Sequence, residues 1–242
     1  MVDINRTNVD IPIKDESLVL KGTIYSTSST PQKAPWIINC PGLLNTRESS
    51  FVKFFSERFA QAGFYVLSYD YRAHGETAKQ TGRNWLKLLP KIFSDLHEAI
   101  DWLIQRKSQT IKENNITLFG RSLGGAIILT HGYTDERVKT LIACCTRYDY
   151  HSVSKIRFPE EVIKQISPMY FLKETPRNKH RILIAHCKDD KQIPFENLKK
   201  IKDHLDLPQE NVLIFEKGGH SFRGHREEVF QKALTFLNLN IK

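Results

Sequence analysis

Phe119-Gly120-Arg121-Ser122-Leu123-Gly124-Gly125-Ala126 is the stretch that decides the fold. It overlaps the end of an apolar run, Ile116-Thr117-Leu118-Phe119, and opens a helical stretch. A strand that turns sharply into a helix holds a residue in a strained backbone conformation, and side chains at the positions of Gly120 and Gly124 would clash there. The pattern therefore predicts a nucleophile elbow with Ser122 at its tip.

Ser122 is also predicted to stand at the amino end of the helix that follows. The first N–H groups of a helix have no partner within it, so the N–H of Leu123 is free to bind a developing oxyanion. A Gly-x-Ser-x-Gly pattern on its own also fits an ordinary strand-to-helix turn. The buried run before it and the helix after it favour the interpretation of Ser122 as a nucleophile.

The rest of the chain predicts a mostly parallel sheet with a leading antiparallel hairpin. Residues 9–13 and 18–25 alternate apolar and polar side chains around a turn at 14–16, which is typical of a hairpin. Short continuous apolar runs follow, each succeeded by a helical stretch, as in an α/β protein with helices on both faces of its sheet. The runs lie at 36–38, 64–67, 116–119, 138–143, 182–185 and 212–215.

Three stripes of apolar residues recur at helical spacing, and we interpret them as core. They are Phe51, Phe54, Phe55 and Phe59; Leu96, Ile100, Leu103 and Ile104; and Val229, Phe230, Ala233, Leu234 and Leu237. The stretch from about 146 to 180 fits neither pattern over its length and predicts a small cap inserted between two strands. The chain, 1–242, is therefore expected to be one α/β domain carrying this insertion.

Composition and charge indicate a globular protein rather than a disordered or nucleic-acid-binding one. Hydrophobic residues make up 40% of the chain, and the 36 lysines and arginines are spread among 27 acidic residues without a basic stripe. We therefore expect the net charge of +9 to be a solvated surface, with no nucleic-acid partner. No apolar stretch resembles a leader or a membrane span, so we expect a cytoplasmic chain with no membrane partner.

The four cysteines lack the paired spacing of a zinc site. They lie in or at the ends of strand-like runs, and we interpret each as a small buried residue. They are Cys40, Cys144, Cys145 and Cys187. We accordingly predict neither a metal nor a cofactor.

The elbow and the order of elements resemble the α/β-hydrolase superfamily, nearer its compact serine esterases of the dienelactone-hydrolase-like and cinnamoyl-esterase-like kinds. The similarity runs over nearly the whole length. In that superfamily the strand after the nucleophile helix and cap leads to an acid, and the last strand leads to a histidine. The order serine, aspartate, histidine is the one expected for this fold.

The stretch from Ile182 to Pro194 is similar to the family loop that carries the acid. The family places that aspartate four residues before a proline, which implies Asp190. Asp189 remains an alternative, because a slip of one residue in the loop would exchange the two. Cys187 stands where the family has a glycine.

The histidine loop of the family is matched by Gly218-Gly219-His220 after the last apolar run. The resemblance implies His220 as the base, and His225 is the weaker candidate. In the serine-hydrolase mechanism that the resemblance implies, Asp190 orients the imidazole of His220 and stabilises its protonated form. Cys40-Pro41-Gly42-Leu43 similarly matches the loop whose backbone N–H completes the oxyanion hole, and Leu43 takes that position.

These residues imply a serine hydrolase that cleaves carboxylic esters of small or medium acyl groups, including hydroxycinnamoyl groups, through an acyl-enzyme. A thioesterase and an acylaminoacyl-type peptidase use the same machinery, and fold does not choose among them. A catalytically silent hydrolase fold that serves as a binding protein is the alternative from another class. The expected partner is a small-molecule ester, and the chain is expected to be a monomer or homodimer.

Overall fold

One eight-stranded sheet organises the chain, in a computed structural model that describes residues 3–14, 16–107, 115–151, 153 and 156–241. Its spatial order is β1-β2-β4-β3-β5-β6-β7-β8. The strands are β1 (Ile4–Pro12), β2 (Val19–Thr27), β3 (Trp36–Cys40), β4 (Tyr65–Tyr69), β5 (Ile116–Arg121), β6 (Val138–Cys144), β7 (Ile182–Cys187) and β8 (Val212–Phe215). β1 and β2 pair antiparallel, β2 runs antiparallel to β4, and the remaining neighbours are parallel. The predicted hairpin and α/β class are confirmed.

Helices connect the strands and cover both faces of the sheet. They are α1 (Ser50–Gln61), α2 (Ala78–Thr81), α3 (Trp85–Lys107), α4 (Leu123–Ile127), α5 (Glu160–Ile166), α6 (Asn178–Arg181), α7 (Glu196–Leu205) and α8 (Arg226–Asn240). A π-helical turn, Ile128–Gly132, continues α4, and short 3-10 turns lie at Pro168–Tyr170, Gln209–Asn211 and Gly219–Ser221. The three predicted apolar stripes fall on α1, α3 and α8. None of the described helices is both long and apolar enough to cross a bilayer.

The core consists of two apolar clusters, and the sheet contributes side chains to both because successive residues of a strand point to opposite faces. One cluster packs α1 and α8 against the sheet, with Phe55 4.6 Å from Phe119 between ring centroids. The other packs α3 and α4. All four cysteines are buried and free, as the sequence predicts.

The strand register brings the functional loops to one edge of the sheet. Cys40 pairs with Gly120, Arg121 with Cys144, and Cys187 with Phe215, so these strands end side by side. Because parallel strands share a direction, the loops that leave them meet at the carboxyl edge. The loops that begin at residues 41, 122, 188 and 216 therefore lie next to one another.

The stretch predicted as a cap holds α5, the turn Pro168–Tyr170 and most of α6. Residues 152, 154 and 155 of this stretch, like Asp15 of the predicted hairpin turn, lie outside the described residues. The division of the chain into one domain with a functional cap stays a prediction.

Candidate active site

Ser122 occupies a strained position between β5 and α4. Its backbone has φ 59° and ψ −118°, a region that costs a non-glycine residue roughly 1–3 kcal/mol. Hydrogen bonds hold the turn: the N–H of Ser122 donates to the carbonyl of Cys144 at 2.9 Å, and that of Ala126 donates to the carbonyl of Ser122 at 3.0 Å. The surrounding strand and helix therefore enforce the strain.

The two glycines around Ser122 are required by backbone contact. A Cβ atom on Gly124 would lie 2.0 Å from the carbonyl oxygen of Cys40 and 2.6 Å from that of Pro41. One on Gly120 would lie 2.5 Å from the carbonyl carbon of Gly124. Backbone atoms cannot move aside as a flexible side chain can, so the steric reason inferred from the sequence is present in the fold.

An aspartate and a histidine are hydrogen-bonded at the same edge of the sheet. Nδ1 of His220 lies 2.7 Å from Oδ2 of Asp190. With the carboxylate ionised, Nδ1 must carry the proton and donate it, which leaves Nε2 as the basic nitrogen. The other carboxylate oxygen, Oδ1, accepts from the N–H groups of Gln192 at 2.8 Å and Ile193 at 3.1 Å.

A second histidine stands behind the carboxylate and was not singled out as functional from the sequence. Nε2 of the buried His186 donates to the carbonyl of Ile193 at 3.0 Å and lies 3.4 Å from Oδ2 of Asp190. Burial by itself raises the pKa of Asp190, but the hydrogen bonds to His186 and His220 outweigh it and hold that pKa well below its ordinary value. The carboxylate is therefore ionised at neutral pH. The sequence signal for this contact is the spacing His186-x-x-x-Asp190, with the histidine near the end of β7 and the aspartate in the loop that follows.

The two alternative residues are engaged elsewhere. The carboxylate of Asp189 accepts from the backbone N–H of Gly219 at 2.8 Å and from that of Gly218 at 3.2 Å. Nδ1 of His225 lies 2.7 Å from Oε1 of Glu228, and its ring stacks on Phe215. The structure thus pairs residue 190, and not its neighbour, with His220.

Leu43 and Leu123 both line the cavity that contains Ser122. In the described part of the chain, no backbone carbonyl accepts a hydrogen bond from the N–H group of either residue. The loop that carries Leu43 is fixed from behind, because the hydroxyl of Tyr71 donates to the carbonyl of Pro41 at 2.9 Å. Two unsatisfied donors at this place suit the oxygen of a tetrahedral intermediate.

The cavity at this edge has a volume of about 470 Å³ and contains Ser122 and His220 in its wall. Helix α3 and the stretch after β6 supply its apolar side, which consists of Trp85, Leu89, Tyr150, Val153, Ile156 and Phe158. The polar lining includes Arg121, Arg147 and Gln192. Among the described residues that line it there is no aspartate or glutamate.

Arg121 links the loops on either side of Ser122. Its Nη1 donates to Oγ of Ser221 at 2.6 Å, its Nη2 donates to Oδ1 of Asn45 at 2.6 Å, and its guanidinium lies 4.2 Å from the ring centroid of Phe51. Burial lowers the pKa of Arg121, since none of these partners is an anion. Arg121 therefore bridges the loop after β3 and the turn that contains His220.

Cys145, together with Asp190 and His220, forms a group of three side chains that could ligate a metal. Its Sγ and one ligating atom each of Asp190 and His220 lie within 4.8 Å of one another. The carboxylate and imidazole are only 2.7 Å apart, however, a separation that suits a hydrogen bond between them. The geometry therefore favours a hydrogen-bonded acid and base.

Residues 36–173, more than half of the 242-residue chain, match the family described as serine aminopeptidase, S33. The chain belongs to this S33 family. It is an α/β hydrolase of the serine-hydrolase type, as the elbow and the element order predict.

Curated relatives of this S33-family chain are matched over part of their length. An uncharacterised 31.7 kDa protein from the traX-finO intergenic region of Escherichia coli is 33% identical over 112 residues, which cover 46% of this chain and 37% of that protein. The quorum-quenching protein AidA of Acinetobacter baumannii (strain MDR-ZJ06) is 28% identical over 161 residues, or 66% of this chain and 51% of AidA. The chain therefore spans about a third to a half of these relatives.

Solved structures share the fold of this S33-family chain over nearly its whole length. Est1E from Butyrivibrio proteoclasticus, solved with ferulic acid, has a TM-score of 0.80 at 17% identity and covers 96% of this chain and 99% of its own. The acylaminoacyl peptidase of Pyrococcus horikoshii has a TM-score of 0.77 at 18% identity, over 99% of this chain and 42% of the peptidase. A dienelactone hydrolase from Anabaena variabilis has a TM-score of 0.72 at 17% identity, over 99% of both chains.

Proposed function

We propose that this serine hydrolase cleaves carboxylic esters of small or medium acyl groups through an acyl-enzyme. In the proposal Ser122 is the nucleophile, His220 the base and Asp190 the acid that orients it. The N–H groups of Leu43 and Leu123 form the oxyanion hole. The observation that carries the proposal is the 2.7 Å hydrogen bond from His220 to Asp190 beside a cavity that also contains the strained Ser122.

Acylation begins when the Ser122 hydroxyl attacks the ester carbonyl. A serine hydroxyl is a poor nucleophile at neutral pH, so Nε2 of His220 accepts its proton as the new C–O bond forms. The carbonyl oxygen becomes an oxyanion and accepts hydrogen bonds from the two N–H groups. When the intermediate collapses, His220 returns the proton to the leaving alcohol and acyl-Ser122 remains.

Deacylation repeats these steps with water in place of the serine. Nε2 of His220 takes a proton from water as the water attacks acyl-Ser122, and it then returns the proton to the serine oxygen. The ionised Asp190 stabilises the imidazolium in both halves of the reaction. The products are the carboxylic acid and the regenerated serine.

The size and lining of the cavity support small to medium acyl groups. Its volume of about 470 Å³ lies in the lower half of the roughly 300–1,000 Å³ that is usual for small-molecule sites. Trp85, Tyr150 and Phe158 offer aromatic surface to an apolar or aromatic acyl group. Est1E, a protein of the same fold, was solved with ferulic acid bound, and this supports hydroxycinnamoyl groups among the candidate acyl groups.

Peptidase activity is the alternative that the family description and the peptidase of the same fold raise. An aminopeptidase must bind a free α-ammonium group, for which a carboxylate is the natural partner. No carboxylate lines the cavity in the described part of the chain, whereas Arg121 and Arg147 do. Two cations disfavour a cationic substrate, so this observation counts against an aminopeptidase that binds a free amino terminus.

Labelling with a fluorophosphonate tests the nucleophile. We expect stoichiometric labelling of the wild-type chain and none of Ser122→Ala, with ester hydrolysis reduced by at least about a thousandfold. Ser221→Ala, at the other serine of the cavity wall, is the matched control and should still be labelled. Absence of labelling in folded wild-type protein would instead favour a catalytically silent binding protein.

A panel of substrates tests the ester class. We expect p-nitrophenyl esters of short to medium chains and methyl ferulate to be turned over faster than long-chain esters, an acyl-CoA or an aminoacyl p-nitroanilide. The reason is the limited volume of the cavity and the apolar side of its wall. A maximum of kcat/KM with the acyl-CoA or the anilide would replace the proposal by a thioesterase or a peptidase.

A further inference from the structure

A second cavity lies where the parallel strands begin, at the end of the sheet opposite to Ser122. Its volume is about 520 Å³, and its lining comprises Glu136, Lys139, Thr140, Arg177, His180, Arg181 and Asn240. Lys139 and Thr140 stand at the start of β6, whereas the first cavity forms where the strands end. Since β6 has seven residues, about 20 Å of strand separates the two edges. The second cavity is therefore a separate site.

Arg181 places a buried positive charge in this cavity. Only 6% of the residue is exposed, and its guanidinium lies 5.4 Å from the ring centroid of Tyr133. Nη2 donates a long hydrogen bond of 3.4 Å to the carbonyl of Tyr133, and Nε, although buried, has no hydrogen-bond partner among the described residues. Burial, and then the charge of Arg177, lowers the pKa of Arg181 to about 10. A buried cation in this condition is stabilised by an anion.

The nearby carboxylates do not neutralise the cavity. Asp135 lies 2.7 Å from the guanidinium of Arg137, and Asp206 lies 2.5 Å from Nζ of Lys179. Glu136 is the single acid in the described lining, against three side chains that are always charged at neutral pH, Lys139, Arg177 and Arg181. The formal charge of the lining is therefore about +2.

We propose that this cavity binds the phosphate group of a small molecule, or free inorganic phosphate. A phosphate dianion matches the charge of the lining, whereas a carboxylate carries half of it. Arg177 and Arg181 together can donate to different oxygens of one phosphate. The volume of about 520 Å³ leaves room for an organic moiety beside the phosphate. The proposal does not depend on the esterase activity.

Calorimetric titration with inorganic phosphate at low ionic strength tests the site. We expect one saturable site per chain in the wild type, and affinity at least tenfold weaker in Arg181→Gln. Arg106→Gln, at an exposed arginine outside the cavity lining, is the matched control and should bind as the wild type does. Arg177→Gln and Lys139→Gln remove less buried cations, so they test the site even if Arg181→Gln fails to fold.

Competition with other anions identifies the ligand class. Acetate at the same ionic strength should leave phosphate binding nearly unchanged. Glycerol 3-phosphate should bind more tightly than phosphate if the ligand is a phosphomonoester, and no more tightly if it is the free ion. Absence of saturable binding by the wild type, equal loss in Arg106→Gln and the cavity variants, or equal displacement by acetate would each overturn the proposal.

Discussion

Asp190 and Asp189 are adjacent in sequence, but their carboxylates have different surroundings. Asp190 is held by two backbone N–H groups and by His220, with His186 behind it. Asp189, within the described part of the chain, accepts from the backbone of the loop before His220. The first carboxylate can therefore stabilise a protonated imidazole directly, whereas the second can only fix the loop that carries it.

Replacement of these residues separates the two roles. We expect Asp190→Asn to lower kcat by about 10⁴-fold, because an amide no longer selects the imidazole tautomer that leaves Nε2 basic. Asp189→Asn should lower kcat by less than about tenfold. Steady-state kinetics with a short p-nitrophenyl ester measures both, and a larger loss in Asp189→Asn would contradict the assignment of the acid.

Arg121 bridges loops at the carboxyl edge of the sheet. The residue ends β5, and its two terminal nitrogens reach Asn45 in the loop after β3 and Ser221 in the turn that holds His220. The loop after β3, the elbow and the turn that holds His220 are thereby tied together by one side chain. Its fork of donors suits this task better than a single ammonium group would.

Arg121→Met should separate catalysis from stability. We expect kcat to fall by about ten- to a hundredfold with KM little changed, because small misplacements of a catalytic group are costly. The free energy of unfolding should fall by no more than about 1 kcal/mol, since the variant removes a buried charge that lacks an anionic partner. Ester kinetics and urea unfolding on the same samples measure the two effects.

Arg121→Lys is the companion variant for this test. It keeps the charge but cannot donate to Asn45 and Ser221 from two nitrogens at once, so kcat should recover only in part. Unchanged kcat in Arg121→Met would show that the loops keep their alignment without the bridge.

His131 couples the stability of the whole molecule to pH. It lies on the π-helical turn after α4, where Nδ1 is 3.2 Å from Nε2 of His97 and its ring packs near Phe93 and Phe171. Burial, and then the proximity of His97, lowers the pKa of His131 to about 4. The unfolded chain, with a pKa near 6.5, therefore binds a proton before the folded chain does.

The sign of this linkage predicts a loss of stability in acid. Between about pH 6.5 and pH 4 the unfolded state carries more protons at this residue, so the free energy of unfolding falls as pH falls. We expect His131→Gln to flatten this slope by roughly 1 kcal/mol across the window, after allowance for partial exposure. Urea unfolding at a series of pH values measures the slope.

His180→Gln, at an exposed histidine, is the control for the loss of an imidazole as such. A His131→Gln slope that equals the wild-type slope in that window would show that this histidine does not contribute to the acid sensitivity.

Much of the fold could be predicted from the sequence because its signals are local. Strands of four to six residues, such as β8 and β5, appear as continuous apolar runs, and the apolar stripes of α1 and α8 follow helical periodicity. The elbow is local at Gly120, where an added Cβ would meet the backbone of Gly124, whereas the clash that demands Gly124 is with the backbone of Cys40 and Pro41, which only the fold brings there.

The sequence by itself predicted the strands, the helices α1, α3 and α8, the elbow at Ser122 and the candidates for acid and base, because periodicity and short-range sterics are encoded by neighbouring residues. Only the tertiary structure decided between Asp190 and Asp189, put His186 behind the carboxylate, and tied Asn45 and Ser221 to Arg121. It alone assembled the basic cavity around Arg181. Most of these contacts join residues that are far apart in the chain, and the choice between residues 189 and 190 depends on a shift of one residue within a loop. The distances between the contacting atoms are set by the register of the eight strands, which local sequence patterns do not specify.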